Sequence, residues 1–180
     1  TQRVISSGPL RAIVELVDRG WQAPSPLTTS PSPLNMTIRY TQYAGHRDTD
    51  IDVKFNKDVK DYRFSTGIID IKGSEEFTDK QGLRACWGTD YPSTDTVKWS
   101  RETLGLGILI PQKHIVEEIA ASKNRDIQGQ DYTYVVKADG DHISYKVIYS
   151  SANEEFGYHS AQEWFSFLKE WKTEVEEPIQ

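Results

Sequence analysis

The side chains of this 180-residue chain that could do chemistry fall into three groups: a histidine beside an arginine, a stretch dense in aromatics and charge, and a tyrosine–histidine pair before a helical run. His46 and Arg47 stand in Ala44-Gly45-His46-Arg47-Asp48, where one alternating run ends and the next begins. An imidazole there can move a proton near neutrality, and a guanidinium can hold a carboxylate through two hydrogen bonds. From Arg84 to Ser100 the chain carries Arg84, Trp87, Asp90, Tyr91, Lys98 and Trp99 around Gly88 and Pro92, and it reads as loop. Exposed Trp and Tyr rings stack on the apolar faces of sugars, while Asp, Arg and Lys bond hydroxyls or carboxylates. Such a mixture is what a ligand cleft needs. The competing reading puts Trp87 and Trp99 in the core. Tyr158 and His159 precede a helix whose N-terminal amides favour an anion, although Ser160 and Glu163 already answer some of them.

Metal and cofactor chemistry find little support, and neither is expected. Asp48, Asp50 and Asp52 lack the glycine and distal glutamate of a calcium loop. Their period of two places them on the solvent face of a strand, opposite Ile51 and Val53. His46, His114, His142 and His159 show no zinc spacing; His114 follows Pro111 and suits a loop, and His142 sits exposed beside a turn. Cys86 is the single cysteine, so an intrachain disulfide is impossible and a small buried hydrophobe beside Trp87 is expected. Gly105 and Gly107, in Leu-Gly-Leu-Gly-Ile, lack the third glycine and following helix of a dinucleotide fingerprint. They are expected to admit a close backbone or aromatic ring.

The elements that must position these residues are mostly strands. Alternating or apolar runs occur at Leu10 to Asp18, Met36 to Ala44, Asp50 to Phe55, Arg63 to Ile71, Leu104 to Ile110, Asp131 to Lys137 and His142 to Ser150. The nearly all-apolar run from Leu104 should be a buried central strand. Asp139-Gly140 between two such runs signals a hairpin. Pro24 to Pro33, with four prolines, reads as a long loop. Trp164, Phe167, Leu168, Trp171 and Val175 share one face of a helix from Ser160 to Val175, opened by a Ser160–Glu163 capping box. Consecutive strands joined by short turns predict an antiparallel β-sandwich closed by one C-terminal amphipathic helix.

Length suits a single domain over residues 1–180, or a large piece of one. A net charge of -6 disfavours nonspecific nucleic-acid binding, and no apolar run reaches the roughly 18 residues of a membrane span. The start at Thr1 reads as a processed or trimmed end, from which any targeting segment has gone.

Taken in order, Gly8-Pro9-Leu10-Arg11-Ala12-Ile13-Val14, Ala44-Gly45-His46-Arg47-Asp48, Lys98-Trp99-Ser100 with Leu104-Gly105-Leu106-Gly107-Ile108, and Gly157-Tyr158-His159-Ser160-Ala161-Gln162-Glu163-Trp164 resemble the landmarks of a family of uncharacterised bacterial polysaccharide-utilisation proteins. The resemblance runs along nearly the whole chain. It implies a galactose-mutarotase-like supersandwich, of which this chain looks like the C-terminal half, completed by a missing N-terminal half or a partner chain. It also implies a periplasmic or extracellular location and a poly- or oligosaccharide ligand; charge and apolar run length give the expectation of no nucleic acid and no membrane.

The functional expectation is a protein acting on a uronate-containing oligosaccharide. In a β-elimination, Arg47 or Arg84 would neutralise the carboxylate, His46 or His159 would take the adjacent proton, and Tyr91 or Tyr158 would protonate the leaving oxygen. Hydrolysis by a carboxylate pair drawn from Asp90, Glu154 and Glu155 is the other enzymatic route. A non-catalytic carbohydrate-binding module and a structural subdomain of a larger enzyme are the alternatives. In the binding role Arg84, Trp87, Asp90, Lys98, Trp99 and Tyr158 would contact sugar.

Overall fold

The computed structural model describes residues 1–23, 32–71, 73–119 and 131–177. Among the described residues eleven strands and one α-helix make the protein mainly β. In chain order they are β1 (Gln2–Ser7), β2 (Arg11–Ala23), β3 (Ser32–Tyr43), β4 (Asp48–Phe55), β5 (Phe64–Ile68), β6 (Glu75–Thr78), β7 (Leu83–Asp90), β8 (Glu102–Leu109), β9 (Ile115–Ile119), β10 (Tyr132–Val136), β11 (His142–Ser151) and α1 (Ala161–Glu176). The chain divides into two compact units. The first holds the described residues of 1–66, 110–119 and 133–147; the second holds those of 67–109, 131–132 and 148–177.

In the first unit β1, β2, β3, β4 and the start of β11 lie side by side, while β5, β10 and β9 form a separate three-stranded sheet. The β1/β2, β2/β3 and β3/β4 ladders are antiparallel. Ile51, Val53 and Phe55 of β4 are buried, as their alternation requires. The opposite face carries a transverse row of charge. Arg3 stands opposite Glu15, Glu15 opposite Arg39, and Arg39 opposite Asp52. Asp52 Oδ1 then meets His142 Nε2 at 3.1 Å.

Three expectations change here. The aspartate face of β4 is not simply solvated, because Asp48 is buried and Lys146 of β11 donates to both Asp48, at 2.9 Å, and Asp50. The Asp139-Gly140 turn forms, with Gly140 at φ 66° and Asp139 bridged to His142, but β10 and β11 enter different sheets. The turn's carbonyls are taken instead by the amides of Phe55 (Asp141 O, 2.9 Å) and Val59 (Gly140 O, 2.8 Å), which bind it to the end of β4. His114 is fully buried in a 3₁₀ turn, its Nδ1 3.1 Å from the carbonyl of Lys137, rather than serving a loop. Of the proline-rich stretch, residues 24–31 lie outside the described residues. Pro33 pairs with Gln22 in β3, beyond the last β3/β4 pair, where fewer amide donors are needed.

The second unit is built on β8, β7 and β6, in that order, with α1 packed on β7 and β8. The Ser160 cap forms, Glu163 N donating to Ser160 Oγ at 3.2 Å, while the Glu163 carboxylate reaches one residue beyond the expected box and accepts from His159 N at 2.9 Å. Trp164, Leu168 and Trp171 are buried among Leu83, Ala85, Trp87, Leu109 and Ile148. The chain from Arg84 is not loop, as its composition predicts: Leu83–Asp90 is strand β7, and only the residues after it are irregular. Leu83, Ala85 and Trp87 join the helix cluster, while Cys86 packs with Ile71 and Tyr132 in another. A strand buried on both faces loses the alternation by which strands are recognised.

Candidate functional site

His46 and Arg47 belong to the first unit. They occupy the β3–β4 turn, where Gly45 at φ 79° reverses the chain. His46 N donates to Tyr43 O at 3.2 Å, and its own carbonyl accepts from Gln42 Nε2 at 2.6 Å. The exposed ring lies 3.5 Å from Asp48 Oδ1. Burial alone would depress the Lys146 ammonium, but the hydrogen bonds to Asp50 and Asp48 outweigh it and hold it above its ordinary value. This is a cross-strand ion network. Among the described residues no group of three or more His, Cys, Asp or Glu is arranged to hold a metal.

The other expected site residues belong to the second unit, and they separate into a buried set and a surface set. Arg84 is fully buried. Its Nε donates to Glu76 Oε1 at 2.8 Å, and its guanidinium lies 4.8 Å from the centroid of Tyr132, whose hydroxyl meets Ser74 Oγ at 3.0 Å. Trp87 is in the helix cluster. Arg84 and Trp87 thus stabilise the fold, and the groove expected of them is not built from their side chains. Tyr158 stacks on Phe167 at 4.8 Å and lies 5.5 Å from Trp164, which packs it onto α1. His159 is exposed ahead of the helix.

Asp90, the last residue of β7, and Tyr91, Lys98 and Trp99, in the connection from β7 to β8, remain at the surface. Short-range hydrogen bonds order this connection. Asp90 Oδ1 accepts from Tyr91 N at 2.8 Å, and Asp95 Oδ1 accepts from Val97 N at 3.2 Å and Lys98 N at 3.0 Å. The Lys98 ammonium sits 4.9 Å from the centroid of the Trp99 ring, which is 45% exposed. Asp90, Tyr91, Ser93, Thr94, Thr96 and Arg101 border an open depression of about 880 Å³. Arg101 Nη2 donates to Thr89 O at 2.7 Å, which anchors that guanidinium at the rim. Arg101 was not foreseen as a site residue, because nothing in its position before an apolar strand marks it; only the chain reversal brings it to Asp90, its neighbour across the β7/β8 ladder through Glu102.

Over residues 1–180 the sequence matches the family described as "Domain of unknown function (DUF4861)". The chain belongs to the DUF4861 family. No curated protein and no solved structure matches it. In this DUF4861 chain the side chains suited to a ligand lie on the β7–β8 connection and in the first unit.

Proposed function

We propose that the chain binds a uronate-containing oligosaccharide on the connection between β7 and β8. The observation that carries this reading is the exposure of Tyr91 and Trp99 in one hydrogen-bonded connection that also borders a depression rimmed by Asp90 and Arg101. An exposed indole offers a flat apolar platform for a pyranose ring. Arg101 supplies a fork for the uronate carboxylate, and Asp90 with the hydroxyls of Ser93, Thr94 and Thr96 supplies acceptors and donors for sugar hydroxyls. The depression is wide and open, which suits an extended chain of sugars better than a small enclosed ligand. The likeness of the motifs to polysaccharide-utilisation proteins supports the same ligand class. Binding, rather than bond cleavage, is the function these groups explain.

Titration calorimetry with oligogalacturonate and with a neutral oligosaccharide of equal length tests it. Binding of the acidic chain is expected, weakened by about 1–3 kcal/mol in Trp99→Ala, the loss typical of an aromatic anchor, with the fold intact. Arg101→Gln should erase the preference for the acidic chain. The proposal fails if neither sugar binds, or if both variants bind as the parent does. Ultraviolet absorbance from unsaturated products would show that the chain also cleaves by β-elimination.

A further inference from the structure

The first unit contains a second concavity that owes nothing to the β7–β8 connection. It is a cleft of about 420 Å³. Val53, Phe55, Val136 and Ile143, all buried, line it from within. Trp21, 39% exposed, and Phe64 flank it, with ring centroids 6.0 Å apart, and Phe64 stacks on Phe55 at 4.7 Å. One polar pair belongs to this lining: Thr66 Oγ1 donates to Tyr145 Oη at 3.1 Å, which leaves the phenol hydrogen free to meet a ligand oxygen. Asp18 and Arg63, both exposed, complete it. Arg63 Nη1 is fixed by the carbonyls of Tyr62 (2.9 Å) and Lys60 (3.1 Å). Among the described residues neither Asp18 nor Arg63 meets an opposite charge in an ion pair.

These features decide between ligand classes. A sugar would bring a hydroxyl on nearly every carbon against Val53, Phe55, Val136 and Ile143, and each hydroxyl left unpaired there would carry a desolvation penalty. A plain hydrocarbon would leave both charges and the hydroxyl pair unused. The volume exceeds the roughly 150 Å³ in which a benzene ring is held, so a ring and a polar head both fit. Two unpaired groups of opposite sign beside one aromatic-walled cleft match a ligand that carries both charges on one carbon. We infer that this cleft binds an aromatic α-amino acid: its ring lies between Trp21 and the buried apolar floor, its carboxylate meets Arg63, and its ammonium meets Asp18.

Three analogues separate the parts of this assignment. L-tyrosine carries all of them, 3-(4-hydroxyphenyl)propionate lacks the ammonium, and tyramine lacks the carboxylate. Calorimetry on the whole chain should show L-tyrosine binding about tenfold or more tighter than either analogue, since a hydrogen bond to a charged group contributes about that factor or more. Arg63→Gln should weaken L-tyrosine and the propionate by about tenfold while leaving tyramine unchanged, and Asp18→Asn should weaken L-tyrosine and tyramine by about tenfold while leaving the propionate unchanged. Both residues are exposed, so neither variant threatens the fold, and the analogue series needs no variant at all. The assignment is overturned if L-tyrosine shows no saturable binding. It is equally overturned if the three compounds bind alike, or if L-tyrosine binds both variants as it binds the parent.

Discussion

Gly105 is packed against the indole of Trp164 so closely that an added Cβ would stand 2.7 Å from the ring. The same ring donates from Nε1 to Leu106 O at 3.4 Å, so it is tied to the strand that it covers. Gly105→Ala must push either the ring or β8 aside. A loss of about 2 kcal/mol or more is expected in chemical denaturation, within the range found for overpacked cores. Gly8→Ala, whose Cβ would meet only a carbonyl at 3.5 Å, should change stability little. Equal stability of parent and Gly105→Ala would mean that α1 sits less tightly on β8.

The Arg84–Glu76 pair sets a second expectation. Glu76→Ala leaves a fully buried guanidinium without that charge, which should cost about 2–3 kcal/mol, less than for a wholly buried pair because Glu76 is 33% exposed. Adding Arg84→Met to Glu76→Ala should recover much of the loss. A double-mutant cycle on melting curves reads the coupling, and additive effects would contradict it.

Acid should weaken the first unit through Glu15. Hydrogen bonds from Arg3 and then Arg39 hold this buried carboxyl below its ordinary value near 4.5. A depressed carboxyl contributes stability that is fully present above its unfolded value and fades as pH falls through the folded one. Denaturation midpoints of the parent should therefore drop below pH about 4.5, and more steeply than those of Glu15→Gln. Parallel acid limbs for the two proteins would refute the assignment.

Cys86 should be inert while the chain is folded. Burial pushes its thiol up to about 12, outweighing the backbone hydrogen bonds with Ile71 and Leu106 that act the other way, and Sγ lies 3.6 Å from Ile69 O. At pH 8 iodoacetamide should label it only at the rate at which the second unit opens, and denaturant should speed labelling by orders of magnitude. Fast labelling of the native protein would show that the strand pair around Cys86 breathes.

Much of the architecture was legible because it rests on local pattern. The helix from Ala161 to Glu176, its Ser160 cap and its buried Trp164, Leu168 and Trp171 follow from spacing alone. Of the two close approaches expected at Gly105, a backbone or an aromatic ring, the structure has the ring of Trp164. Leu83–Asp90 escaped because burial on both faces removed its alternation, and with it Arg84 and Trp87 moved from a supposed groove into the core. The cleft of the first unit was illegible, since the stretch with Asp18 and Trp21, the stretch with Arg63 and the stretch with Tyr145 are far apart in sequence and only the strand order gathers them.

The row Arg3, Glu15, Arg39, Asp52 and His142 has a bearing on how the chain avoids misfolding. Alternation of apolar and polar residues forbids a strand from slipping by one position, because every side chain would change face. It is blind to a slip of two. Such a slip would set Glu15 opposite Thr37 or Thr41 in place of Arg39, and would leave a buried carboxylate facing a neutral side chain. The charge row thus works as a tooth in a key: a slip of β2 by two residues against β3 would cost buried Glu15 its Arg39 partner, a penalty against the one misalignment that alternation permits.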